Sequence, residues 1–355
     1  MWLQMVTYRL FARHPAPALH PFTLESVAED TGIAFKSGFV AIVGRPNAGK
    51  STLVNSLVGR KVAIVSPRPQ TTRNRIQGIL NRDDAQIVLV DTPGIHKAGD
   101  ILSRQMMGET EHALEDVDIV SLIVDATAEF GGGDRFSAKW LRKFHGPVFL
   151  LLNKVDRVRK ALLLPMIDRW RREFEFAEIF PVSALTGEGC AGLVEVWIAR
   201  LPESPPHFPQ DQFTDQPERF LVAELVREQA LRATTEEVPH AVAVFIDRFE
   251  QKKDLIKIMA TIYVEREGQK GILIGKGGEA IKKIGTLARK EIETMLDSHV
   301  LLELMVKVQP NWRSNRAIVR KLDWHRQLEL MSPREEDEPD EPQVFDDEEP
   351  EGSTS

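Results

Sequence analysis

The sequence predicts an α/β domain with a mostly parallel sheet, followed by a smaller α+β domain. From residue 39 to about residue 200, short apolar runs alternate with amphipathic stretches, which is typical of parallel strands covered by helices on both faces. The predicted strands read "FVAIV", "QIVLV", "IVSLIV", "VFLLL" and "AEIFPVS". The run "RIQGIL" at residues 75–80 adds a candidate antiparallel edge strand. At 355 residues the chain is also long enough for two domains.

A proline-rich segment separates the two predicted domains. The stretch "LPESPPHFPQDQFTDQPERF" contains five prolines and no hydrophobic periodicity, a composition typical of linkers. We therefore assign residues 37–200 to the first domain, 201–218 to a linker and 219–330 to the second domain. The second domain is predicted to contain a helix from about residue 217, an antiparallel pair of strands, a helix over 279–296 and a closing strand.

Both ends of the chain lie outside this pattern. Residues 1–36 lack the continuous apolar run of a secretory signal and are predicted to form a poorly ordered extension, with a transit peptide as the alternative. Residues 331–355 are predicted to form a disordered acidic tail, because from Arg334 onward they hold eleven acids and one arginine. Without that contribution of −10, the chain's net charge of −7 becomes +3, so the remainder is mildly basic.

The composition excludes two classes of protein. The single cysteine, Cys190, excludes a disulfide framework and a cysteine-rich metal site. The sequence contains no apolar run of about 18 residues, so we expect no transmembrane segment.

The stretch "GRPNAGKS" matches the phosphate-binding pattern G-x-x-x-x-G-K-[ST], with a predicted strand before it and a predicted helix after it. Gly44 and Gly49 allow backbone N–H groups to face the phosphates. Lys50 can reach the β and γ oxygens, and Ser51 can ligate Mg²⁺. A glycine turn with an exposed lysine is the non-functional alternative. The candidate nucleotide contacts of this loop are Gly44, Arg45, Pro46, Asn47, Ala48, Gly49, Lys50, Ser51 and Thr52.

Three further motifs follow predicted strands. In "DTPG" the Asp91 carboxylate can reach the metal shell and the Gly94 N–H can donate to a γ-phosphate. In "NKVD" the Asp156 carboxylate can accept from N1–H and the exocyclic amine of guanine, which adenine does not offer. A backbone N–H of "SAL" can reach guanine O6. The order of the four motifs predicts a GTP site, whose further candidates are Asp91, Thr92, Pro93, Gly94, Asn153, Lys154, Asp156, Ser183, Ala184 and Leu185.

The polar stretch "SPRPQTTRNR" is predicted to be a switch loop that the γ-phosphate orders. We expect Thr72 to supply the second hydroxyl ligand of Mg²⁺, beside Ser51 and Asp91, with Thr71 as the alternative. Ile95 follows the "DTPG" motif where Ras-like enzymes have a glutamine that orients water, so we predict slow intrinsic hydrolysis. The candidate catalytic residues are Lys50, Asn47, Thr72 and Gly94.

Several stretches together resemble the Era family of ribosome-assembly GTPases, over roughly residues 37–330: "GRPNAGKST", "QTTRNRIQGIL", "DTPGIH", "NKVD", "PVSALTGEG" and "GILIGKGGEAIKKIGTLARKEIE". The resemblance implies a Ras-like GTPase domain followed by a type II KH domain. It implies GTP or GDP and Mg²⁺ as ligands, a target near the 3′ end of small-subunit ribosomal RNA, and a role in assembly of the 30S subunit. It also implies that Asn47 can ligate K⁺ near the phosphates. We expect a cytoplasmic, ribosome-associated monomer; the resemblance leaves peripheral membrane association open.

The loop "GKGG" is a weak motif by itself, since "GCAG" and "GQKG" have the same spacing. Two strands and a helical turn before it and a lysine-containing helix after it favour a KH loop, in which glycines let nucleotide phosphates approach the backbone. The candidate RNA contacts are Gly275, Lys276, Gly277, Gly278, Lys282 and Lys283. Ile272, Ile274 and Ile281 are candidates for the groove wall, with core packing as the alternative.

The leading hypothesis is a GTP-hydrolysing switch that binds single-stranded small-subunit ribosomal RNA. One alternative is a module that binds GTP with negligible turnover, which Ile95 would fit. A second is a related GTPase that acts on tRNA or on the large subunit. Phosphate release would decide the first alternative, and crosslinking followed by RNA sequencing would decide the second.

Overall fold

The computed structural model describes residues 35–68, 71–95, 99–234, 238–322 and 324. The acidic tail and residues 1–34 of the N-terminal extension lie outside these residues, so the two predictions of disorder stay predictions. All of the described residues belong to one compact unit.

A six-stranded sheet with the order β2-β3-β1-β4-β5-β6 forms the centre of the first domain. Its strands are β1 Lys36–Val43, β2 Ile76–Asn81, β3 Ala85–Asp91, β4 Ile119–Asp125, β5 Val148–Asn153 and β6 Glu178–Pro181. Only β2 is antiparallel to its neighbour, and it lies at the edge. Both the mostly parallel sheet and the antiparallel edge strand are as predicted.

Helices cover both faces of this sheet, which is why its central strands are apolar along nearly their whole length. The helices are α1 Lys50–Val58, α2 Ile101–His112, α3 Gly132–Leu141, α4 Leu163–Glu173 and α5 Cys190–Arg200. One core cluster includes Leu53 of α1 and Trp197 of α5, and the other includes Leu141 of α3 and Trp170 of α4. The carboxyl ends of the parallel strands meet at one edge, where ligands bind in open α/β sheets.

The proline-rich linker packs along the edge strand β2. Gly78 and Thr214 form an antiparallel bridge, and the Ile79 N–H donates to the Phe213 carbonyl oxygen at 2.9 Å. An edge strand has one row of unpaired backbone groups, and these contacts satisfy part of that row. Residues 201–217 contain no helix or regular strand, and the composition carried no signal for this packing.

The second domain has a three-stranded sheet with the order β7-β8-β9. Its strands are β7 Ala243–Lys252, β8 Leu255–Val264 and β9 His299–Val308, with β7 and β8 antiparallel and β9 parallel to β8. Its helices are α6 Glu218–Arg232, α7 Val238–Ala241, α8 Glu267–Ile274, α9 Glu279–Leu296 and α10 Arg316–Leu322. Val226 of α6 and Ile284, Ala288 and Ile292 of α9 pack in the core beneath the sheet. The apolar spacing predicted the bounds of α9 and these three buried residues, but it also included Leu287, which is 43% exposed.

Candidate nucleotide and nucleic-acid sites

The phosphate-binding loop between β1 and α1 leaves no room for side chains at its two glycines. Gly44 and Gly49 have φ values of 154° and 103°. A Cβ on Gly49 would lie 2.2 Å from Asn153 Nδ2, and one on Gly44 would lie 2.3 Å from the Ile123 carbonyl oxygen. Gly49 also precedes the first residue of α1. The loop therefore presents backbone N–H groups at a helix N-terminus, which fits a phosphate group.

Lys50 lies buried over this loop. Its Nζ donates to the carbonyl oxygens of Gly44 at 3.2 Å and Arg45 at 3.1 Å. Burial lowers the pKa of Lys50 to about 8, and the nearby Asp91 opposes that shift. Since Lys50 Nζ binds two backbone carbonyl oxygens of the loop, its charged amino group lies where it could also bind phosphate oxygens.

The three predicted metal ligands lie together. Ser51 Oγ donates to Asp91 Oδ2 at 2.6 Å and lies 2.9 Å from Thr72 Oγ1, which is 3.3 Å from the same carboxylate oxygen. Asp91 Oδ1 is buried and has no hydrogen-bond partner among the described residues. Burial raises the pKa of Asp91 to about 6, against the effect of Lys50. Two hydroxyls and a carboxylate are oxygen donors of the kind that Mg²⁺ prefers, so these residues fit the ion.

The structure distinguishes the two threonines that the sequence left open. Thr72 is 6% exposed and faces Ser51 and Asp91. Thr71 Oγ1 instead donates to the Arg68 carbonyl oxygen at 2.6 Å. The geometry therefore favours Thr72 as the ligand.

The "DTPG" motif packs directly on the phosphate-binding loop. A Cβ on Gly94 would lie 2.8 Å from the Pro46 nitrogen, so only glycine fits there. The Ile95 N–H donates to the Gly44 carbonyl oxygen at 2.9 Å, and the Ile95 side chain is 3% exposed. Because this side chain lies in the core, it offers no group that could orient a water molecule. Thr92 Oγ1 donates to a backbone carbonyl of β1 and is buried, while Pro93 accepts from Thr110.

Asn153 and Lys154 hold the phosphate-binding loop from the other side. Asn153 Nδ2 donates to the Ala48 carbonyl oxygen at 2.8 Å. Lys154 Nζ donates to the Asn47 carbonyl oxygen at 2.9 Å and to Asp125 Oδ2 at 2.6 Å. Sequence reasoning missed Asp125; its only signal was a carboxylate at the end of β4.

Asp156 is exposed and oriented for a ligand. Its Oδ1 accepts from Ser183 Oγ at 2.7 Å, a contact that the motifs did not predict. The N–H groups of Ser183 and Ala184 donate to Glu188 and to Asn153. Of the "SAL" backbone donors, the Leu185 N–H is therefore the candidate for guanine O6, and its side chain is 78% exposed.

The "GKGG" loop lies on the surface between α8 and α9. Gly275, Gly277 and Gly278 have φ values of 72°, 61° and 84°, a region that glycine adopts freely. Lys276 is exposed, as are Lys282 and Lys283 on the first turn of α9. The loop and its lysines are thus accessible together.

The three isoleucines near this loop differ in environment. Ile272 is 53% exposed, which keeps it a candidate for a groove wall. Ile274 and Ile281 are half-buried and pack against the core of the second domain, so core packing accounts for much of their surface.

Among the residues that the structure describes, no group of three or more His, Cys, Asp or Glu residues could hold a metal ion. None of the helices within the same residues is long and apolar enough to cross a membrane.

Comparisons with known proteins match both domains. A family model described as 50S ribosome-binding GTPase matches residues 39–154, and a KH domain model matches residues 237–313. A solved structure of Era in complex with MgGDPNP and nucleotides 1506–1542 of 16S ribosomal RNA is 41% identical, with a TM-score of 0.79; the match covers 81% of this chain and 98% of that one. A tyrosine-to-alanine variant of Aquifex aeolicus Era bound to GDP·AlF₄⁻ is also 41% identical, with a TM-score of 0.78 and the same coverage.

The match extends over both domains and nearly the whole length of these relatives. It confirms the predicted P-loop GTPase domain followed by a KH domain, and with it the prediction of an enzyme that hydrolyses GTP. This chain belongs to the Era family of GTPases.

Proposed function

We propose that this GTPase binds single-stranded small-subunit ribosomal RNA near its 3′ end through the KH domain and assists assembly of the 30S subunit. The observation that carries the proposal is the alignment of this chain over 98% of an Era structure that holds nucleotides 1506–1542 of 16S ribosomal RNA. The exposed "GKGG" loop with its lysines supports the same conclusion.

GTP and GDP are the nucleotides of the first domain, and Mg²⁺ is its metal ion. We assign Ser51, Thr72 and Asp91 to the metal, and the N–H groups of the loop and Lys50 Nζ to the phosphates. When bound there, Mg²⁺ would neutralise negative charge that develops on the phosphates. The donor set of two hydroxyls and one carboxylate supports this assignment.

We assign guanine selection to Asp156. Its carboxylate is exposed and oriented by Ser183, so it can accept from two guanine donors. A carboxylate that meets a base without those donors loses its hydrogen bonds, which disfavours ATP.

Ile95, which directly follows Gly94, is buried and apolar, so its side chain supplies neither charge nor a hydrogen bond to the transition state. We propose that Asn47 supports K⁺ beside Lys50. Asn47 Nδ2 donates to the Pro67 carbonyl oxygen at 2.8 Å, which joins the phosphate-binding loop to the switch loop, and Asn47 Oδ1 is the atom that would ligate K⁺.

At the KH loop, positive φ angles at Gly277 and Gly278 leave the backbone uncovered, since a Cβ at either position would meet open space. An RNA phosphate can therefore approach the main chain closely, and the lysines supply attraction. We expect about four unpaired nucleotides to fit beside such a loop.

We further propose that the protein is a cytoplasmic monomer that associates with the 30S subunit. Sedimentation of the purified chain would test the monomer, and co-sedimentation with subunits would test the association. Peripheral membrane association is a separate, family-based proposal, which flotation with liposomes would test.

The decisive experiment is in-cell crosslinking followed by RNA sequencing, with the Lys276→Asp/Gly277→Asp variant as control. We expect crosslinks within the 3′ end of small-subunit ribosomal RNA that the variant loses. Crosslinks concentrated on tRNA or on large-subunit RNA would contradict the proposal and support the related-GTPase alternative. In vitro, a 3′-end RNA should bind more tightly than an RNA of the same composition in shuffled order.

A further inference from the structure

The second domain holds the segment that carries Thr72. This switch segment comprises residues 65–68 and 71–75 and contains no helix or regular strand. Within the first domain, Pro67 contacts Asn47, and Thr72 contacts Ser51 and Asp91.

Five hydrogen bonds join the switch segment to the second domain. The Val65 N–H donates to Glu228, and Arg68 donates to the Thr234 carbonyl oxygen. Arg227 donates to the Thr71 carbonyl oxygen. Arg73 donates to the carbonyl oxygens of Val242 and His240.

Arg73 makes two of these five hydrogen bonds. It directly follows Thr72 in the chain and is 7% exposed. Its Nη1 donates to the Val242 carbonyl oxygen at 2.7 Å, and its guanidinium carbon lies 5.4 Å from the centre of the Trp312 ring. Burial lowers the pKa of Arg73 to about 9, which shows how costly this environment is for the cation. A guanidinium buried among carbonyls and an indole ring fixes the backbone on either side of it.

Glu228 of α6 anchors the beginning of the segment. Its side chain is fully buried, and its Oε1 accepts from the Val65 N–H at 3.1 Å. The same carboxylate pairs with Lys61 of the first domain and with Arg232. A buried carboxylate is stable only when such partners are present. Because Glu228 binds both Lys61 and the Val65 N–H, a change in the contact between the two domains would also change the position of Val65.

We propose that Arg73 and Glu228 are positioning residues of the GTPase site: through them the second domain sets the position of Thr72 relative to Ser51 and Asp91. This inference rests on the proposed role of Thr72 as a ligand of Mg²⁺. It makes the KH domain part of the structure that hydrolyses GTP, in addition to its role as the RNA-binding module.

The test uses the full chain and Arg73→Met, which keeps an unbranched stem but removes the guanidinium, with its charge and the two Nη groups that donate to the second domain. We expect kcat for GTP hydrolysis to fall roughly 10- to 100-fold, the loss that a misplaced active-site group typically causes. The Mg²⁺ concentration for half-maximal hydrolysis should rise several-fold. Affinity for GDP should change less than twofold, because Thr72 is expected to contact the ion only when a γ-phosphate is present. Arg73→Lys, which can still reach one carbonyl oxygen, should recover part of the loss.

A double-mutant cycle separates positioning from a general structural role. Thr72→Ala alone should lower kcat and raise the Mg²⁺ requirement. If Arg73 acts through Thr72, Arg73→Met should cause little further loss in the Thr72→Ala background. Additive losses would show that Arg73 acts by another route and would overturn the inference.

A matched pair of carboxylates provides the control at the domain contact. Glu228 and Glu291 both pair with Lys61 and with Arg232. They differ in that Glu291 contacts Gln229 and makes no hydrogen bond to the described part of the switch segment. We expect Glu228→Ala to reproduce the kinetic pattern of Arg73→Met and Glu291→Ala to resemble wild type. Equal defects in both variants would overturn the inference, because they would trace the effect to the ion pair itself. This pair also decides the matter if Arg73→Met does not fold in thermal melting.

The outcomes also distinguish this inference from the proposal on which it rests. A Thr72→Ala variant with the wild-type Mg²⁺ response would refute the metal role of Thr72 and the inference with it. A defective Thr72→Ala beside an Arg73→Met variant with wild-type kcat and Mg²⁺ response would refute the inference alone.

Discussion

The nucleotide site and the KH loop differ in how their functional groups are held. Around the phosphate-binding loop, Lys50, Ser51 and Asp91 are largely buried, and each hydrogen-bonds to a neighbouring group of the site. At the "GKGG" loop, Lys276 and its neighbours are exposed, and the backbone of Gly277 and Gly278 borders open space.

This difference in burial affects how well each site can select its ligand. Preorganised groups lose free energy when a ligand fails to match them. The buried Lys50 and Asp91 can therefore select one metal geometry, and the exposed Asp156, which Ser183 orients, can select one base. Exposed lysines around a bare backbone attract any phosphate chain, so their contribution to RNA affinity is electrostatic and sensitive to salt. Substitutions in the first site should therefore change ligand identity, whereas substitutions in the second should change affinity.

The largest expected effect is on base selection. In Asp156→Asn, the charge that accepts from the guanine amine is lost, and the amide can instead donate to the oxygen of xanthine. We expect the ratio of GTP to xanthosine triphosphate affinity to fall by about 10²-fold or more, because a hydrogen bond to a charged group contributes about 1.5–3 kcal/mol. Competition against a fluorescent nucleotide measures the ratio. Asp168→Asn, on the exposed side of α4, is the matched control, and an unchanged preference in Asp156→Asn would place the base elsewhere.

The second effect concerns RNA. Lys276→Asp with Gly277→Asp adds two negative charges and a side chain where a phosphate is expected, while GTP affinity should stay within about twofold of wild type. We expect RNA affinity to fall at least about tenfold, and the slope of log affinity against log salt to become shallower by about 1, since each phosphate contact on a single strand contributes about 0.7. Filter binding at several salt concentrations measures both.

The fold should survive this double change, because a Cβ at Gly277 meets open space and aspartate tolerates a positive φ better than most residues. Lys160→Asp, on the surface of the first domain, is the control for added negative charge. Wild-type RNA affinity in a folded double variant would refute the KH loop as the RNA site.

A third, smaller effect tests whether a monovalent cation completes the first site. With Ile95 buried, the positive charge near the transferred phosphate should come partly from K⁺ at Asn47. Wild-type hydrolysis should be at least about tenfold faster in K⁺ than in Na⁺, which is below the 10²- to 10³-fold typical of losing one stabilising donor. Asn47→Ala should abolish the difference. Equal wild-type rates in the two salts would count against the ion.

The last expected effect is on stability and not on ligand binding, and it concerns a buried carboxylate of the linker. Burial raises the pKa of Asp215 to about 6, above its ordinary value of 3.8. The folded state then binds the proton more tightly than the unfolded state, so this group's contribution to stability is greatest near pH 4 and is lost as the pH rises through about 6. Asp215→Asn should remove that dependence and raise stability at pH 7.5 by up to about 3 kcal/mol, the equivalent of two pKa units.

Thermal melting of wild type and Asp215→Asn at pH 4.5 and 7.5 measures this difference. We expect similar melting temperatures at the lower pH and a higher one for the variant at pH 7.5. A variant that is less stable at both values would show that the charge itself stabilises the linker, for example through Arg75, which lowers the pKa of Asp215.

Local pattern was enough to predict most of the fold and which residues lie together at each candidate site. Apolar runs predicted β1 to β6, and helical spacing predicted α9 over residues 279–296. The motifs predicted which residues would gather at the carboxyl edge of the sheet, because each motif directly follows a strand whose direction the βα alternation already implied.

Several contacts could not be predicted because they join residues far apart in sequence. The Ser183 contact to Asp156 spans 27 residues, and the Asp125 contact to Lys154 spans 29. The linker's packing on β2 depends on which edge of the sheet is free. No local signal distinguishes an arginine that anchors a loop from one that faces solvent.

The order of residue types along the chain predicts the chemistry of this protein: a loop for phosphates and a carboxylate for guanine, each after a strand, and a glycine loop with lysines for RNA. Only the tertiary structure decided that Thr72 and not Thr71 faces Ser51, and that Arg73 and Glu228 join the switch segment to the second domain. Strand and helix formation depend on neighbours within a few residues, whereas the contacts of Arg73 with Val242 and of Glu228 with Val65 span 169 and 163 residues and form only when two separate cores pack together. The contact of Thr72 with Ser51 spans 21 residues, which is also beyond the reach of a local pattern.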